Sequence, residues 1–562
     1  MPSSPQRSKA ETVKENSRRL RGRVIEELAL ENPGFSGESV QILKFHGIYQ
    51  QGDRDAPKGS QQLHPTSMVR VGVPGGLLTA AQYLAMDRLA DEVGDGGLRI
   101  TSRQDIQFHR VGKGNLRSLL RTLNGNLLTT LAACGDVVRN VTCCPAPFDN
   151  PVRREIQHWT SVISKRFKPT TRAYYEIWLD GEKAATAESA AEETEPVLGP
   201  AYLPRKFKIG CAAPGDNCID VYTNDVGLVP LVGRGGLEAF TVLVGGGLGM
   251  SPGVKATHPR LADPLATVPS EQLERVLEAI ITLHRDYGNR ENRKLARLKY
   301  VLEAWGIDRF RSEVEERLGC ALAPPQPLFW TDGVDHLGWH AESGGCWFLG
   351  LPVPSGRVKD GELVKLRTGI REVVERFGAG VRLTPQQNIL LSGIRGEQRE
   401  DVEESLRSRG VRLAGELPPV LRQSMACPAL PTCSLAITEA ERVLPEVLQD
   451  IRGRLEDHGL GNEPLTVRMT GCPNGCARPL TAEIGLVGES LDLYGVYLGG
   501  SPTGTRLAFL FAGKTPRREI ANRLAPVFAQ YGASRRDGER FGDFCYRLGV
   551  EALQGANQGA SQ

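Results

Sequence analysis

The chain has 562 residues, enough for roughly three or four domains of ordinary size. Its hydrophobic fraction of 40% and charged fraction of 24% are typical of a soluble protein, and a net charge of +3 gives no reason to expect a nucleic-acid partner. No signal-peptide core and no membrane-length apolar run is present. These observations predict a cytoplasmic protein without nucleic-acid or membrane partners.

The N-terminal residues are predicted to be disordered up to residue 14, because they are polar and rich in Ser, Gln and Lys. Apolar spacing predicts one helix from Thr12 to Leu30, which Asn32-Pro33-Gly34 would end. The segment Ile42–Asp55 is predicted to be a strand that runs into a polar turn.

An internal repeat organises the chain. Two of its segments follow predicted helices at Thr79–Val93 and Asp360–Phe377. Three pairs of similar segments occur in the same order in both halves: Gly97–Phe108 with Gly380–Leu391, Ile219–Val229 with Leu480–Val487, and Thr241–Gly249 with Val496–Gly500. The sequence therefore predicts an α+β fold made of two diverged copies of one unit, each with a small and a larger domain. A charged helical stretch, Ser270–Trp305, and a proline-rich linker at 324–327 separate the copies.

Two cysteine pairs lie in the second copy, with 38 residues between them: Cys427 with Cys433, and Cys472 with Cys476. Each iron of a cubane cluster takes one outer ligand besides three sulfides, so four thiolates meet its needs. Zinc also takes four cysteines, but its usual knuckles have two to four residues between ligands, which the first pair fits poorly. Structural thiols are a third alternative. In a reducing compartment, clustered cysteines favour metal binding.

Basic residues occur in four separated segments of the first copy. Arg70 lies in a predicted strand, Arg103 follows another, Arg139 lies in a turn, and Lys206 and Lys208 flank a phenylalanine. Strand alternation places both lysines on one face. On spacing alone, a solvated basic edge that prevents aggregation is the simpler interpretation, and an anion-binding site is the alternative.

The residues around the cysteines, Ser424–Ala436 and Met469–Pro479, resemble the cluster and siroheme signature of the assimilatory sulfite and nitrite reductase hemoproteins. The resemblance extends from about Lys14 to Gly549. It implies two cofactors, a siroheme and a [4Fe-4S] cluster. It also implies two pseudo-symmetric repeats, each a small ferredoxin-like domain plus a larger α+β domain, with the siroheme held between the halves.

The resemblance further implies a division of the chain into six parts. These are a disordered N-terminus at 1–14, a segment that wraps the core at 15–64, a first ferredoxin-like half-domain at 65–132, a first siroheme and substrate domain at 133–322, a second ferredoxin-like half-domain at 323–415, and the [4Fe-4S] and siroheme domain at 416–556.

By the same resemblance, the cluster ligands are Cys427, Cys433, Cys472 and Cys476, and Cys476 also reaches the siroheme iron. The reaction implied is the six-electron reduction of sulfite to hydrogen sulfide, in sulfur assimilation and cysteine biosynthesis.

The family resemblance also assigns roles to the basic residues. Arg70 and Arg139 would bind the substrate anion, Lys206 and Lys208 would bind it and deliver protons, and Arg103 would grip the siroheme carboxylates. Positive groups in a water-poor pocket attract an anion and stabilise charge as sulfur–oxygen bonds break. Nitrite-specific relatives commonly have asparagine at the Lys208 position, so this lysine favours sulfite, with nitrite reduction as the alternative.

The electron donor is predicted to be a separate protein. Gly245–Gly249 lacks the third glycine of a dinucleotide-binding motif, since Met250 stands there, and is better interpreted as a turn or as flexible backbone beside a cofactor. The resemblance favours the hemoprotein subunit of NADPH-sulfite reductase, with a flavoprotein partner, over a ferredoxin-dependent enzyme. Cys134 points to the ferredoxin-dependent members, some of which link a tyrosine to a cysteine covalently; Tyr49 and Cys134 would be that pair.

Overall fold

The computed structural model describes residues 7–56, 65–170, 176–179, 182–186 and 195–559. Within these ranges the strands form four five-stranded sheets and two smaller pairs. Helices cover the sheets, so the α+β fold class predicted from the sequence is confirmed. None of the described helices is both long and apolar enough to cross a membrane.

The first small sheet is antiparallel throughout. Its strands in spatial order are Ile48–Gln51, Thr66–Val71, Ile106–Val111, Leu98–Ile100 and Arg357–Val358. Helix Ala80–Val93 packs against this sheet and against helix Leu116–Gly125. A capping box starts the first of these helices: Thr79 Oγ1 accepts from Gln82 N at 3.2 Å, and Gln82 Oε1 accepts from Thr79 N at 3.1 Å.

The second small sheet repeats this plan and is also antiparallel. Its strands in spatial order are Gly338–Ala341, Cys346–Leu351, Ile389–Arg395, Gly380–Leu383 and Leu77–Leu78. Helices Leu366–Phe377 and Arg399–Ser408 pack against each other beside it. The two small domains exchange strands, because Leu77–Leu78 completes the second sheet and Arg357–Val358 completes the first.

The two large sheets share one topology, in which the first three strands are parallel and the last two are antiparallel. The first large sheet has, in both spatial and chain order, Thr142–Cys143, Ile209–Cys211, Val226–Gly233, Gly236–Val244 and Asp263–Pro269. The second has Met425–Ala426, Val467–Thr470, Ile484–Ser490, Leu493–Leu498 and Phe509–Pro516. The shared strand order confirms the repeat that the sequence predicted.

Long helices pack around both large sheets. They are Pro151–Arg166, Leu273–Tyr287 and Leu298–Leu318 in the first repeat, and Leu444–Asp457, Ile520–Ser534 and Phe541–Gly559 in the second. One continuous hydrophobic core joins both small domains to the first large domain, and the second large domain has a core of its own. The remaining short elements are helices Val24–Leu28, Gly37–Leu43 and Pro419–Arg422, and the strand pairs Gly215–Asp216 with Trp330–Asp332 and Glu176–Leu179 with Glu182–Thr186.

The N-terminal region is ordered where disorder was predicted. Helix Lys9–Glu15 carries Lys14 into the interior, where its ammonium donates to Leu203 O at 2.8 Å and lies 3.6 Å from an Asp136 carboxylate oxygen. A buried lysine needs such partners, and they fix the helix in place. The prediction of disorder is therefore wrong for this helix, while residues 1–6 lie outside the described residues.

Three predicted elements have other boundaries in the structure. The single helix predicted from Thr12 to Leu30 is wrong, because Arg18, Arg19 and Leu20 have positive φ and Leu20 is buried in the core. The strand predicted over Ile42–Asp55 begins only after the left-handed Gly47. The stretch Ser270–Trp305 is two helices that Gly288 and the following turn separate.

We expect the strand exchange to depend on a glycine that allows close backbone approach. Gly356 has φ of +72°, and a Cβ there would lie 2.3 Å from the carbonyl oxygen of Ile100. Gly378 has φ of +66°, but a Cβ there would meet nothing within 4 Å. Gly356→Ala should therefore lower the free energy of unfolding by about 1–3 kcal/mol more than Gly378→Ala, measured by denaturant unfolding. Equal losses would show that the left-handed backbone alone sets the cost.

Candidate redox and anion-binding site

The cysteine pairs follow parallel strands of the second large sheet. Met425–Ala426 pairs with Val467–Thr470, and Cys427 and Cys472 come within two residues of the ends of these strands. The carboxyl ends of parallel strands meet at one edge of a sheet, so the two cysteine loops lie side by side there. The backbone N–H of Gly471 donates to Cys427 Sγ at 3.4 Å.

The four thiols influence one another, which places them in one small region. Burial raises the pKa of Cys472 to about 11, and the charges of Cys476 and Cys433 add to the shift. Burial also raises the pKa of Cys427 and of Cys433, and Cys476 is the next cause for both. In the described part of the chain the four are not a group compact enough for one metal ion.

The glycine-rich segment Gly245–Gly249 packs against the second cysteine loop. It follows an antiparallel strand of the first large sheet and so does not belong to a βαβ unit. Met250 N donates to Pro473 O at 2.9 Å, and a Cβ at Gly249 would lie 3.2 Å from Asn474 O. The segment is a turn whose small residues let the two repeats approach each other at the cysteines.

A backbone contact brings Arg139 and the two lysines together. Arg139 N donates to Phe207 O at 2.8 Å, and Phe207 is fully buried in the core. Lys206 and Lys208 therefore lie on the opposite face of this segment, where both are half-buried, as the alternation predicted. Arg70 reaches the same region from the first small sheet.

The basic residues of the first repeat face the last cysteine of the second. The negative charge of Cys476 acts to raise the pKa of Arg70, Lys206 and Lys208. The structure therefore brings three of the predicted anion-binding residues to the cysteine that was expected to bridge the cofactors. Ser102, one residue before Arg103, donates from Oγ to Cys476 O at 2.8 Å and ties the repeats together at this point.

Burial and neighbouring charges together shift the pKa values of these groups in different directions. Burial lowers the pKa of Lys206 to about 7, and the nearby Arg205 and Arg297 lower it further. Burial, with Lys206 the next cause, holds the pKa of Lys208 well below its usual value. Burial alone would lower the pKa of Arg70 as well, but Cys134 and other anionic neighbours more than offset it. Arg70 is thus a fixed cation, whereas burial brings the pKa of Lys206 close to neutral pH.

Arg103 is held by the protein on several sides. Its Nε donates to Asn140 O at 3.2 Å, its Nη2 to Ile209 O at 2.9 Å, and its Nη1 to Asn224 Oδ1 at 2.8 Å. Burial lowers its pKa to about 10. Most of its five N–H donors are therefore committed to the fold, which fixes the direction of the few that remain for a ligand.

Tyr49 and Cys134 are in contact beside Arg70 and Arg139. Their side chains are hydrogen-bonded, and burial, with Cys134 as the next cause, raises the pKa of Tyr49 to about 12. Cys134 is fully buried. The proximity that a covalent link needs is present, while the link itself stays a prediction.

Several acidic residues of the site were missed by the sequence reasoning. Asp105 lies among Arg70, Arg103 and Arg139, and burial raises its pKa to about 6 despite these cations. In the described residues its Oδ1 is buried without a hydrogen-bond partner. Asp225 is fully buried; it pairs with Arg297 at 2.9 Å and accepts from the backbone N–H of Lys208 at 2.9 Å. Asp105 and Asp225 are single acidic residues, and nothing in the surrounding sequence indicated that they would contact the basic residues of the site.

A buried ion-pair network joins the two large domains near the site. Arg468 Nη1 lies 2.6 Å and Arg478 Nε lies 2.5 Å from Asp220 Oδ2. Asp220 and Arg478 occupy matching positions in the repeats, since each has positive φ and precedes a short 3-10 turn. Because two matching residues touch each other, the pseudo-twofold axis that relates the repeats passes close to this ion pair.

Comparison with known proteins gives the family. A family model described as "Nitrite/Sulfite reductase ferredoxin-like half domain" matches residues 60–126 and 340–409, and "Nitrite and sulphite reductase 4Fe-4S domain" matches 158–322. "Sulfite reductase [ferredoxin]" of Synechococcus elongatus is 44% identical, covering 98% of this chain and 91% of that protein. "Sulfite reductase [NADPH] hemoprotein beta-component" of Geobacillus kaustophilus is 43% identical, covering 98% and 97%.

This chain belongs to the nitrite and sulfite reductase family. A solved structure, "Structure of Mycobacterium tuberculosis NirA protein", matches with a TM-score of 0.78 and 25% identity over 98% of each chain. The predicted family and the two ferredoxin-like half-domains are confirmed.

The cofactors of this reductase family are a siroheme and a [4Fe-4S] cluster, and the residues of this chain fit both. Four thiols share one edge of a sheet, which is the donor set of a cubane. Cationic side chains converge opposite them, as an acidic macrocycle requires. In the described residues the buried Asp105 Oδ1 and Asn140 Oδ1 have no hydrogen-bond partner, as expected of groups that border a ligand.

We expect the junction of the repeats to depend on Asp220. Its carboxylate is the shared acceptor of two buried guanidinium groups, so Asp220→Asn leaves positive charge uncompensated. Loss of one partner of a buried ion pair costs about 3–5 kcal/mol. The matched control is Asp457→Asn, which removes an exposed ion pair with Arg454. Thermal unfolding should shift strongly to lower temperature only for Asp220→Asn; equal midpoints for both variants would contradict this role.

Proposed function

We propose that this reductase converts sulfite to sulfide in the space between the repeats. The balanced reaction is HSO₃⁻ + 6 e⁻ + 6 H⁺ → HS⁻ + 3 H₂O, so the site must hold an anion and supply protons repeatedly. The observation that carries the proposal is the convergence of Arg70, Lys206 and Lys208 on Cys476 from the opposite repeat. The sulfite reductase names of the relatives, at 41–44% identity over nearly the whole chain, support it.

Arg70 and Arg139 bind the anion in this proposal. Arg70 keeps its charge at every accessible pH because anionic neighbours raise its pKa. The planar guanidinium offers parallel N–H donors that match two oxygens of an oxyanion. Arg139 donates from Nε to Gly135 O at 2.7 Å, which holds its guanidinium against the turn that carries it.

Lys206 and Lys208 bind the anion and supply protons. With a pKa of about 7, Lys206 can release a proton to a departing oxygen and regain one from solvent within the same turnover. Lys208 is fixed beside it by the bond from its backbone N–H to Asp225. The charged form of a lysine binds the anion, and its neutral form takes up the next proton. Together Lys206 and Lys208 can therefore both bind the anion and supply protons.

The cysteines and Arg103 hold the cofactors. Cys427, Cys433, Cys472 and Cys476 are the proposed cluster ligands, with Cys476 also reaching the siroheme iron, and Arg103 is proposed to contact siroheme carboxylates. When bound, the two cofactors supply electrons to the substrate atom. The proposed division of labour places the anion-binding residues in 133–322 with the preceding half-domain, and the cluster ligands in 416–556.

The electrons come from a partner protein. Relatives named for NADPH and for ferredoxin match this chain about equally well, so both donors fit the family. We favour the NADPH-oxidising flavoprotein subunit on the sequence resemblance, and place the reaction in the cytoplasm, where free thiols stay reduced. Turnover with NADPH and a flavoprotein subunit, compared with reduced ferredoxin, distinguishes the two donors.

The proposed function is tested by steady-state turnover with reduced methyl viologen, which bypasses the natural donor. Sulfite should give sulfide with a higher kcat/KM than nitrite gives ammonia. Lys208→Asn should lower kcat/KM for sulfite by about 10–100-fold, the loss of a hydrogen bond between charged groups, and should affect nitrite less. A wild-type preference for nitrite would assign the chain to nitrite reduction, and no turnover of either anion would refute the proposal.

The pKa of Lys206 predicts a pH dependence. The charged lysine binds the anion, so kcat/KM should fall as the pH rises through about 7. Nitrite is the better probe, because bisulfite itself ionises in this range. In Lys206→Arg the charge persists, so the fall should move to higher pH while kcat decreases for want of a proton donor. An unchanged pH profile in Lys206→Arg would exclude this role.

A further inference from the structure

A second group of metal-type ligands lies where the first large domain meets the segment that follows it, and this group is not used by the reaction proposed above. It consists of Cys144, Asp216, Cys218 and His336. Among the described residues it is the only group of three or more His, Cys, Asp or Glu side chains compact enough for a metal ion, with one ligand atom of each within 4.8 Å of the others. The first three are buried, and the His336 side chain is 12% exposed.

The distances within the group are those of a small coordination sphere. Cys144 Sγ lies 3.3 Å from Asp216 Oδ2 and 3.4 Å from His336 Nε2. His336 Nε2 lies 2.9 Å from Asp216 Oδ2, and the Cys218 thiol is hydrogen-bonded to Cys144. Tetrahedral zinc bonds of about 2.0–2.3 Å place ligand atoms about 3.3–3.8 Å apart. The two distances from Cys144 Sγ lie within this range. The distance between His336 Nε2 and Asp216 Oδ2 is shorter and would have to increase slightly when zinc binds.

The first ligand has a counterpart in the cluster site. Cys144 follows the first strand of the first large sheet and begins the sequence Cys-Pro-Ala. Cys427 follows the first strand of the second large sheet and begins the same three residues. The two sheets have the same topology, so these cysteines hold equivalent positions in the fold.

The ligand Cys218 has a counterpart as well. It lies two residues before Asp220, and Cys476 lies two residues before Arg478, the residue that matches Asp220 in the other repeat. Both cysteines follow the second strand of their sheet. Two members of this group, Cys144 and Cys218, thus hold the chain positions that Cys427 and Cys476 hold in the second repeat, while Asp216 and His336 have no matching cysteine there.

The charges and donor atoms select the class of ion. Two thiolates and the Asp216 carboxylate carry three negative charges. Arg153 donates from Nη1 to Cys144 Sγ at 2.8 Å and from Nη2 to Asp216 Oδ2 at 2.9 Å, and with a divalent cation it balances them. Sulfur and imidazole ligands exclude Mg²⁺ and Ca²⁺ and favour a borderline ion. Two sulfurs, one nitrogen and one oxygen in a closed tetrahedron are ligands of a structural zinc site.

We propose that Cys144, Asp216, Cys218 and His336 bind one Zn²⁺ ion. The ion joins the first large domain to the segment between the repeats, where Gly215–Asp216 already pairs with Trp330–Asp332. His336 follows that strand and packs with Phe148, at 5.1 Å between ring centroids. The zinc therefore fixes the start of the second repeat on the first, a structural role separate from the reduction of the anion.

The test is the zinc content and zinc K-edge X-ray absorption of the holoenzyme, produced with added zinc. We expect about one zinc per chain, with two sulfur and two nitrogen or oxygen ligands. The zinc edge is separate from that of iron, so the cluster and haem do not interfere. Four sulfur ligands would mean zinc in the cluster site and would overturn the proposal. Wild-type protein with less than a tenth of a zinc per chain would also overturn it, as would a Cys144–Cys218 disulfide found by non-reducing mass spectrometry.

Variants separate this site from the cluster. Cys218→Ser and His336→Asn should each lower the zinc content at least tenfold while the iron content stays that of wild type. Cys545→Ala, which changes a buried cysteine in the second large domain, should keep its zinc. If Cys218→Ser does not fold, His336→Asn, which changes a partly exposed side chain, gives the same readout. Zinc retained by both ligand variants would refute the assignment.

Discussion

The candidate site depends on one constraint: the two repeats must meet with Cys476 of one beside basic residues of the other. Cys476 in the second large domain and Arg70, Lys206 and Lys208 in the first repeat lie within electrostatic reach of each other. Facing each other, these residues border the space in which we propose that the cofactors and the anion bind, so the candidate site exists only where the two repeats meet.

Duplication followed by divergence explains how one fold supplies both sets. The large sheets have the same strand order, yet matched positions carry opposite charges, as Asp220 and Arg478 do. The same divergence left the proposed cluster cysteines in the second copy, while in the first copy Cys144, Asp216 and Cys218 form a different group together with His336. Strand exchange between the small domains holds the copies in one relative position, because neither small sheet is complete without the other.

The sequence predicted the repeat and the family, because each rests on local pattern or on resemblance, whereas the cysteine ligands and the roles of the basic residues stay predictions. It missed what depends on contacts between distant residues. Lys14 is ordered by Asp136, more than a hundred residues away, so the composition of its own segment suggested disorder. The exchanged strands are two residues long and carry no periodicity. The shared Cys-Pro-Ala sequence at Cys144 and Cys427 was a visible signal that these two cysteines hold equivalent positions.

The proposed role of Cys476, to join the cluster to the siroheme opposite the basic residues, can be tested by Mössbauer spectroscopy of the oxidised, ⁵⁷Fe-enriched protein. An oxidised [4Fe-4S] cluster is diamagnetic by itself, so magnetic splitting at its irons requires exchange with the paramagnetic haem iron through a shared ligand. We expect this splitting in the wild type if Cys476 is the shared ligand. A diamagnetic cluster beside an independent haem iron would contradict it.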